Sequence, residues 1–98
     1  MSTPEKKVKD KVKAILKELG AYYFMPATHG FGSSGVPDIV ACWSDVFIGI
    51  ECKAGKGHPT ELQMKNINAI RENGGTAVIV NEITVPVVEA WIKLIREK

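Results

Sequence analysis

Asp38, Glu51, Lys53 and Gln63 are the residues of this chain whose types and spacing suit chemistry. Asp38 follows Gly35-Val36-Pro37 into a strand-like run, Glu51-Cys52-Lys53 closes a second run, and Gln63 opens a helical pattern. Hard divalent cations such as Mg²⁺ take several carboxylate and carbonyl oxygens and usually keep waters. Asp38 and Glu51 offer the carboxylates. Side chains alternate along an extended strand, so Glu51 and Lys53 share a face roughly 6–7 Å apart while Cys52 points to the other. A metal-activated water beside a lysine is a means of cutting a phosphodiester.

Three further features bear on the same chemistry. Glu5 lies three residues before Val8, on the apolar stripe of the first helix. It either favours the positive helix N-terminus, with Ser2 as capping-box partner, or looks into the site. Gly30-Phe31-Gly32-Ser33-Ser34-Gly35 matches the dinucleotide fingerprint G-x-G-x-x-G, but a helix must follow that motif. Here Val36-Pro37-Asp38 leads into a strand, so the run is either a loop whose backbone approaches a phosphate, through Gly32, Ser33, Ser34 and Gly35, or a plain connector. The turn from Ala54 to Pro59 exposes Lys56 and His58, candidate contacts for DNA. Gln63 falls with Ile67 and Ile70 on the buried face of its helix. It either completes a capping box with Thr60 or reaches toward Lys53 and the water.

The elements that must position these residues follow from local signals. Thr3 suits an N-cap, Pro4 the first helical turn and Gly20 the exit, which predicts a helix from about Pro4 to Leu19. Val8, Val12, Ile15, Leu16 and Leu19 form its stripe. Ala21 to Met25 is a short strand stopped at Pro26. Ile39 to Trp43 and Val46 to Ala54 are strands joined by a tight turn at Ser44-Asp45. The second is apolar on both faces, as for a central strand covered on both sides. Gly49 precedes Glu51 on one face and leaves room for a ligand or metal. A helix runs from Thr60 to Gly74-Gly75, then a strand from Thr76 to Val80, parallel to its neighbour because a helix intervenes. The last helix, about Val85 to Glu97, has an apolar arc through Val87, Val88, Ala90, Trp91, Ile92, Leu94 and Ile95. That arc is wider than one packed face requires, so part of it is expected against a second copy.

The 98 residues make one domain, 1–98, with no room for a separate DNA-binding domain. The net charge of +2 does not announce nucleic acid, but six of the 13 basic residues (Lys6, Lys7, Lys9, Lys11, Lys13 and Lys17) fall in the first helix. They are a phosphate-facing patch or a solvated helix face. Cys42 and Cys52 sit in apolar runs and are expected reduced and buried, and with His29 and His58 they make no zinc spacing. No signal peptide or membrane-length apolar run occurs, which predicts a soluble protein of a bacterial or phage-infected cytoplasm with no membrane partner.

Pro37-Asp38, twelve residues, Glu51-Cys52-Lys53, nine residues, Gln63 resembles the PD-(D/E)xK nuclease signature. The glycines before Pro37-Asp38 and the helix-opening glutamine resemble the VRR-NUC group (virus-type replication-repair nucleases) in particular. The resemblance covers nearly the whole chain. It implies an α/β restriction-endonuclease-like core, αβββαβ plus a C-terminal helix, with a mixed central sheet flanked by helices. It also implies Mg²⁺ or Mn²⁺ on Asp38, Glu51 and the backbone carbonyl of Cys52. Lys53 would orient the attacking water and offset phosphate charge, and Gln63 would assist. Glu5 resembles the first-helix acid of related resolvases. Stand-alone members are similar in use to Holliday-junction resolvases, cutting four-way DNA junctions as homodimers. Other branched, flap or duplex DNA, or an inactive DNA-binding module, are the alternatives.

Overall fold

The computed structural model describes residues 3–27 and 35–96. The order is α1 (Pro4–Leu19), β1 (Tyr22–Phe24), β2 (Ile39–Trp43), β3 (Val46–Cys52), α2 (Glu61–Glu72), β4 (Thr76–Val80), a 3₁₀ turn (Val85–Val87) and α3 (Val88–Arg96). This is the expected αβββαβ core followed by a helix.

The α1 helix starts where its capping chemistry dictates. Thr3 Oγ1 accepts the Lys6 N–H at 3.1 Å, and Gly20 closes the other end in the left-handed region at φ 77°. Val8, Val12 and Leu16 are buried, with Ile15 and Leu19 half-buried beside them.

The sheet order is β1-β2-β3-β4. β1 and β2 are antiparallel with Tyr23 opposite Ala41, β2 and β3 are antiparallel with Ala41 opposite Ile48, and β3 and β4 are parallel with Ile50 opposite Val78. The β2–β3 turn takes positive φ at both Ser44 (49°) and Asp45 (65°), the twist that a two-residue hairpin prefers. α2 spans the longer return that a parallel pair needs.

One face of the sheet carries Ile39, Ala41, Ile48, Ile50, Cys52 and Val80 into a core closed by α1 and α3. Trp43 at the far end of β2 donates its Nε1–H to the Leu19 carbonyl at 3.0 Å, and the Arg96 guanidinium lies 5.2 Å from its ring centre. The other face is covered by α2 over β3 and β4.

Several expectations change here. Cys42 is exposed rather than buried: in register it shares its face with Tyr22 and Phe47, whose side chains are also exposed. β3 ends at Cys52, not Ala54, and Phe47 near its start is 44% exposed, so only Ile48 to Cys52 are covered on both sides. Gly49 leaves no room for a ligand: a Cβ there would sit 2.9 Å from Ile70 Cδ1 and 3.1 Å from Pro37 Cγ. Its missing side chain lets α2 approach the sheet. The last helix begins with a 3₁₀ turn, Val85–Val87, before α3 proper. Val88 and Ile92 are buried in the core, Trp91 and Ile95 are half-buried, and Val87 and Leu94 remain about 60% exposed. Gly32, Ser33 and Ser34, like Ser2 and Glu97, lie outside the described residues.

Candidate active site

Three elements deliver acids to one end of the sheet. Packing of the α1 stripe carries Glu5, one turn before Val8, over the sheet end. Asp38 stands immediately before β2, where its Oδ2 accepts the Cys52 N–H at 2.8 Å, tying it to the end of β3. Glu51 is in β3 itself and is 1% exposed. One carboxylate oxygen from each of Glu5, Asp38 and Glu51 lies within 4.8 Å of the others.

Lysines flank this cluster. Lys53, just past β3, is held by its backbone N–H on the Val80 carbonyl at 2.9 Å, and its Nζ lies 3.5 Å from Glu51 Oε2. Lys9, one turn after Glu5 on α1, brings its Nζ to 3.6 Å from Asp38 Oδ1. Helical spacing from Glu5 is the signal that could have marked Lys9 in advance.

The other Glu51 oxygen, Oε1, is buried with no hydrogen-bond partner among the described residues. An unpartnered buried carboxylate oxygen is expensive unless something meets it. Burial pushes the Glu51 carboxyl up to about 7, the Asp38 charge adds to the rise, Lys53 opposes it, and Glu5 adds a little more. An acid cluster holding an orphaned buried oxygen fits a hard divalent cation, which takes oxygen donors and removes the mutual repulsion. Burial, with Asp38 and Glu51 nearby, pushes the Cys52 thiol up to about 12, so it stays protonated and is no thiolate ligand. Its side chain belongs to the core, which leaves only its backbone to serve the site.

Gln63 takes the capping option. Its Oε1 accepts the Thr60 N–H at 2.8 Å, and its own N–H donates to Thr60 Oγ1 at 3.1 Å. Any part in placing water or Lys53 therefore falls to its Nε2 group. Gly35, at φ 83°, is pressed against α2: a Cβ there would lie 2.8 Å from the Leu62 carbonyl carbon. Lys56 and His58 are exposed on the loop after β3. That loop is clasped by Glu82, whose Oε1 and Oε2 accept the Gly55 N–H at 2.8 and 3.2 Å, a contact with no sequence signal. Of the lysines on α1, Lys6 and Lys13 pair with Asp10 rather than facing outward as a free patch.

No family model and no curated protein matches the chain. Solved structures do. One described as a VRR_NUC domain superposes with a TM-score of 0.74 at 21% identity, covering 94% of this chain and 97% of that one. A second, a VRR_NUC domain protein, gives 0.67 at 19% identity over 96% and 92%. Hjc of Archaeoglobus fulgidus, a Holliday junction resolvase, gives 0.59 at 21% identity over 79% of this chain and 65% of that one. The fold is thus the restriction-endonuclease-like fold of VRR-NUC domains, as the motif resemblance implied.

Proposed function

We propose that this chain is a divalent-metal-dependent endonuclease acting on branched DNA, with the four-way junction as its leading substrate and a homodimer as its working form. The observation that carries the reading is the buried, unpaired Oε1 of Glu51 inside a cluster completed by Asp38 and Glu5 and flanked by Lys53. Asp38 and Glu51, with Glu5 and the Cys52 carbonyl, would hold Mg²⁺ or Mn²⁺. Such an ion, when bound, supplies Lewis-acid charge at the phosphate and a nucleophile at neutral pH.

The chain's own residues do the rest. Asp38 is oriented by the Cys52 amide. Lys53 is anchored on both sides, by its backbone on β4 and by its ammonium on Glu51. Its side chain is 17% exposed, so it can present a proton donor to a phosphate oxygen and offset the charge growing there. Lys56 and His58, on a loop fixed by Glu82, would meet the DNA backbone. Exposed Val87 and Leu94, with Ile83 at 78% exposure, favour a partner copy near the C-terminal helix.

The test is cleavage of labelled four-way junction, flap, splayed arm, single strand and duplex in Mg²⁺, Mn²⁺ or EDTA, with Lys53→Ala beside the wild type. Symmetric metal-dependent nicking of the junction by wild type alone is expected. Cutting confined to flaps or open ends would keep the site and replace the substrate. No metal-dependent cutting of any of them would refute the enzyme.

A further inference from the structure

Lys9, one of the six lysines of α1, stands against the acid cluster. Asp38 has two oxygens: Oδ2 is held by the Cys52 N–H, and Oδ1 is the one that Lys9 approaches at 3.6 Å. On the same helix Lys6 and Lys13 pair with Asp10, away from the cluster, while Lys9 is turned to Asp38. The cluster therefore has two ammonium groups on two different acids, Lys53 on Glu51 and Lys9 on Asp38.

The two pairs differ in kind. Lys53 is 17% exposed and its partner Glu51 is 1% exposed, so that pair is built in. Lys9 is 36% exposed and Asp38 23%, at a distance longer than a tight charge-assisted bond. A compact charge on a flexible four-carbon stem at a partly open position is easily moved. Without a cation, three carboxylates this close repel, and one ammonium buried beside Glu51 cannot offset all of them.

We propose that Lys9 is a displaceable counter-ion: it neutralises Asp38 in the metal-free protein and competes with a divalent cation for Asp38 Oδ1. This rests on reading the acid cluster as the cation site. Metal loading then requires Lys9 to withdraw, so the chain's own lysine sets how much free metal the site needs. Losing Lys9 has opposite effects on the two states: the empty cluster becomes less compensated, and the cation meets one competitor fewer.

The experiment is titration of the metal-free protein with Mn²⁺ alone, followed by calorimetry or by the spin-resonance signal of free Mn²⁺, without DNA. Wild type is compared with Lys9→Met, which keeps the stem, Lys9→Arg, which keeps the charge, and Lys7→Met, which removes an exposed charge elsewhere on α1. Lys9→Met should bind Mn²⁺ about 3- to 10-fold more tightly, the factor appropriate to one partly exposed ion pair meeting a divalent ion. Lys9→Arg and Lys7→Met should stay near wild type. Melting in EDTA should place Lys9→Met below wild type, so that affinity and metal-free stability move oppositely, as a purely structural role would not produce. Unchanged or weaker Mn²⁺ binding by Lys9→Met, or equal tightening by Lys7→Met, overturns the inference while the cation site stands. Failure of wild type to bind Mn²⁺ saturably, or binding that survives Glu51→Gln, overturns the site reading itself.

Discussion

Replacing Glu51 by glutamine should stabilise the metal-free protein at alkaline pH, the reverse of what loss of a buried ion pair usually does. Burial above all, by disfavouring the charged form, pushes the folded carboxyl up to about 7 from its ordinary 4.5. Between those pH values the native state holds a proton that the unfolded chain has lost. Stability from this group is therefore full below about 4.5, declines as pH rises, and is gone above about 7. The span corresponds to roughly 3 kcal/mol, each pK unit being about 1.4 kcal/mol. Glu51→Gln cannot ionise, so urea unfolding in EDTA should find it about 1–3 kcal/mol more stable than wild type at pH 8 and close to it at pH 5, the amide's imperfect fit accounting for the shortfall. Mn²⁺ at pH 8 should restore wild type and leave Glu51→Gln unmoved. A flat wild-type pH profile between 5 and 8 in EDTA, or a Glu51→Gln protein less stable at pH 8 than wild type, would refute the claim that the buried charge of Glu51 destabilises the metal-free protein at alkaline pH.

Four other outcomes are expected. Lys53→Met should cut at least about 100-fold more slowly even when folded and saturated with Mn²⁺, since the lysine acts on the phosphate as well as pairing with Glu51; a rate loss no larger than the loss of folded, metal-loaded protein would make it structural. Gly35→Ala should destabilise by more than about 1 kcal/mol, because its φ of 83° and the 2.8 Å approach to Leu62 both exclude a Cβ. Thr60→Ala should lower stability by about 1 kcal/mol through loss of its hydroxyl's half of the capping box, and a cutting rate unchanged by Gln63→Ala would free Gln63 of any part in the chemistry. Leu94→Glu should turn the proposed dimer into a monomer in sedimentation; an unchanged species places the interface elsewhere, with the exposed Tyr22, Phe24 and Phe47 face as the next surface to alter.

What could be read in the sequence was what local chemistry decides. Thr3, Pro4 and Gly20 bound α1 at the expected residues, and strands β2 and β4 fall where their apolar runs do. Asp38, Glu51 and Lys53 meet because each sits at or beside the end of a strand next to its neighbour's end. Contacts made by packing were not legible. Glu5 reaches the cluster only because the whole α1 stripe seats on the sheet, and Lys9 follows it by one turn. Gly49 yields its space to Ile70, and Cys42 is left uncovered because α2 does not extend over β2; nothing in either residue's neighbours along the chain announces that. At Gln63 two local meanings competed, and the hydrogen bonds to Thr60 show the capping box formed.

The stacking of Arg96 on Trp43, with the indole N–H on the Leu19 carbonyl, joins the end of the last helix, the β-hairpin and the end of the first helix. Asp38 lies at the opposite end of β2, about 16 Å away at the rise of an extended strand. With Trp91 replaced by Phe, emission from Trp43 should therefore register peeling of the terminal helix and stay silent when an ion enters the acid cluster. Trp43 in that background is a folding gauge at the far end of the strand from the chemistry. Fluorescence melts can thus be followed at any metal concentration, and any shift they show is a change in stability rather than direct quenching by the ion.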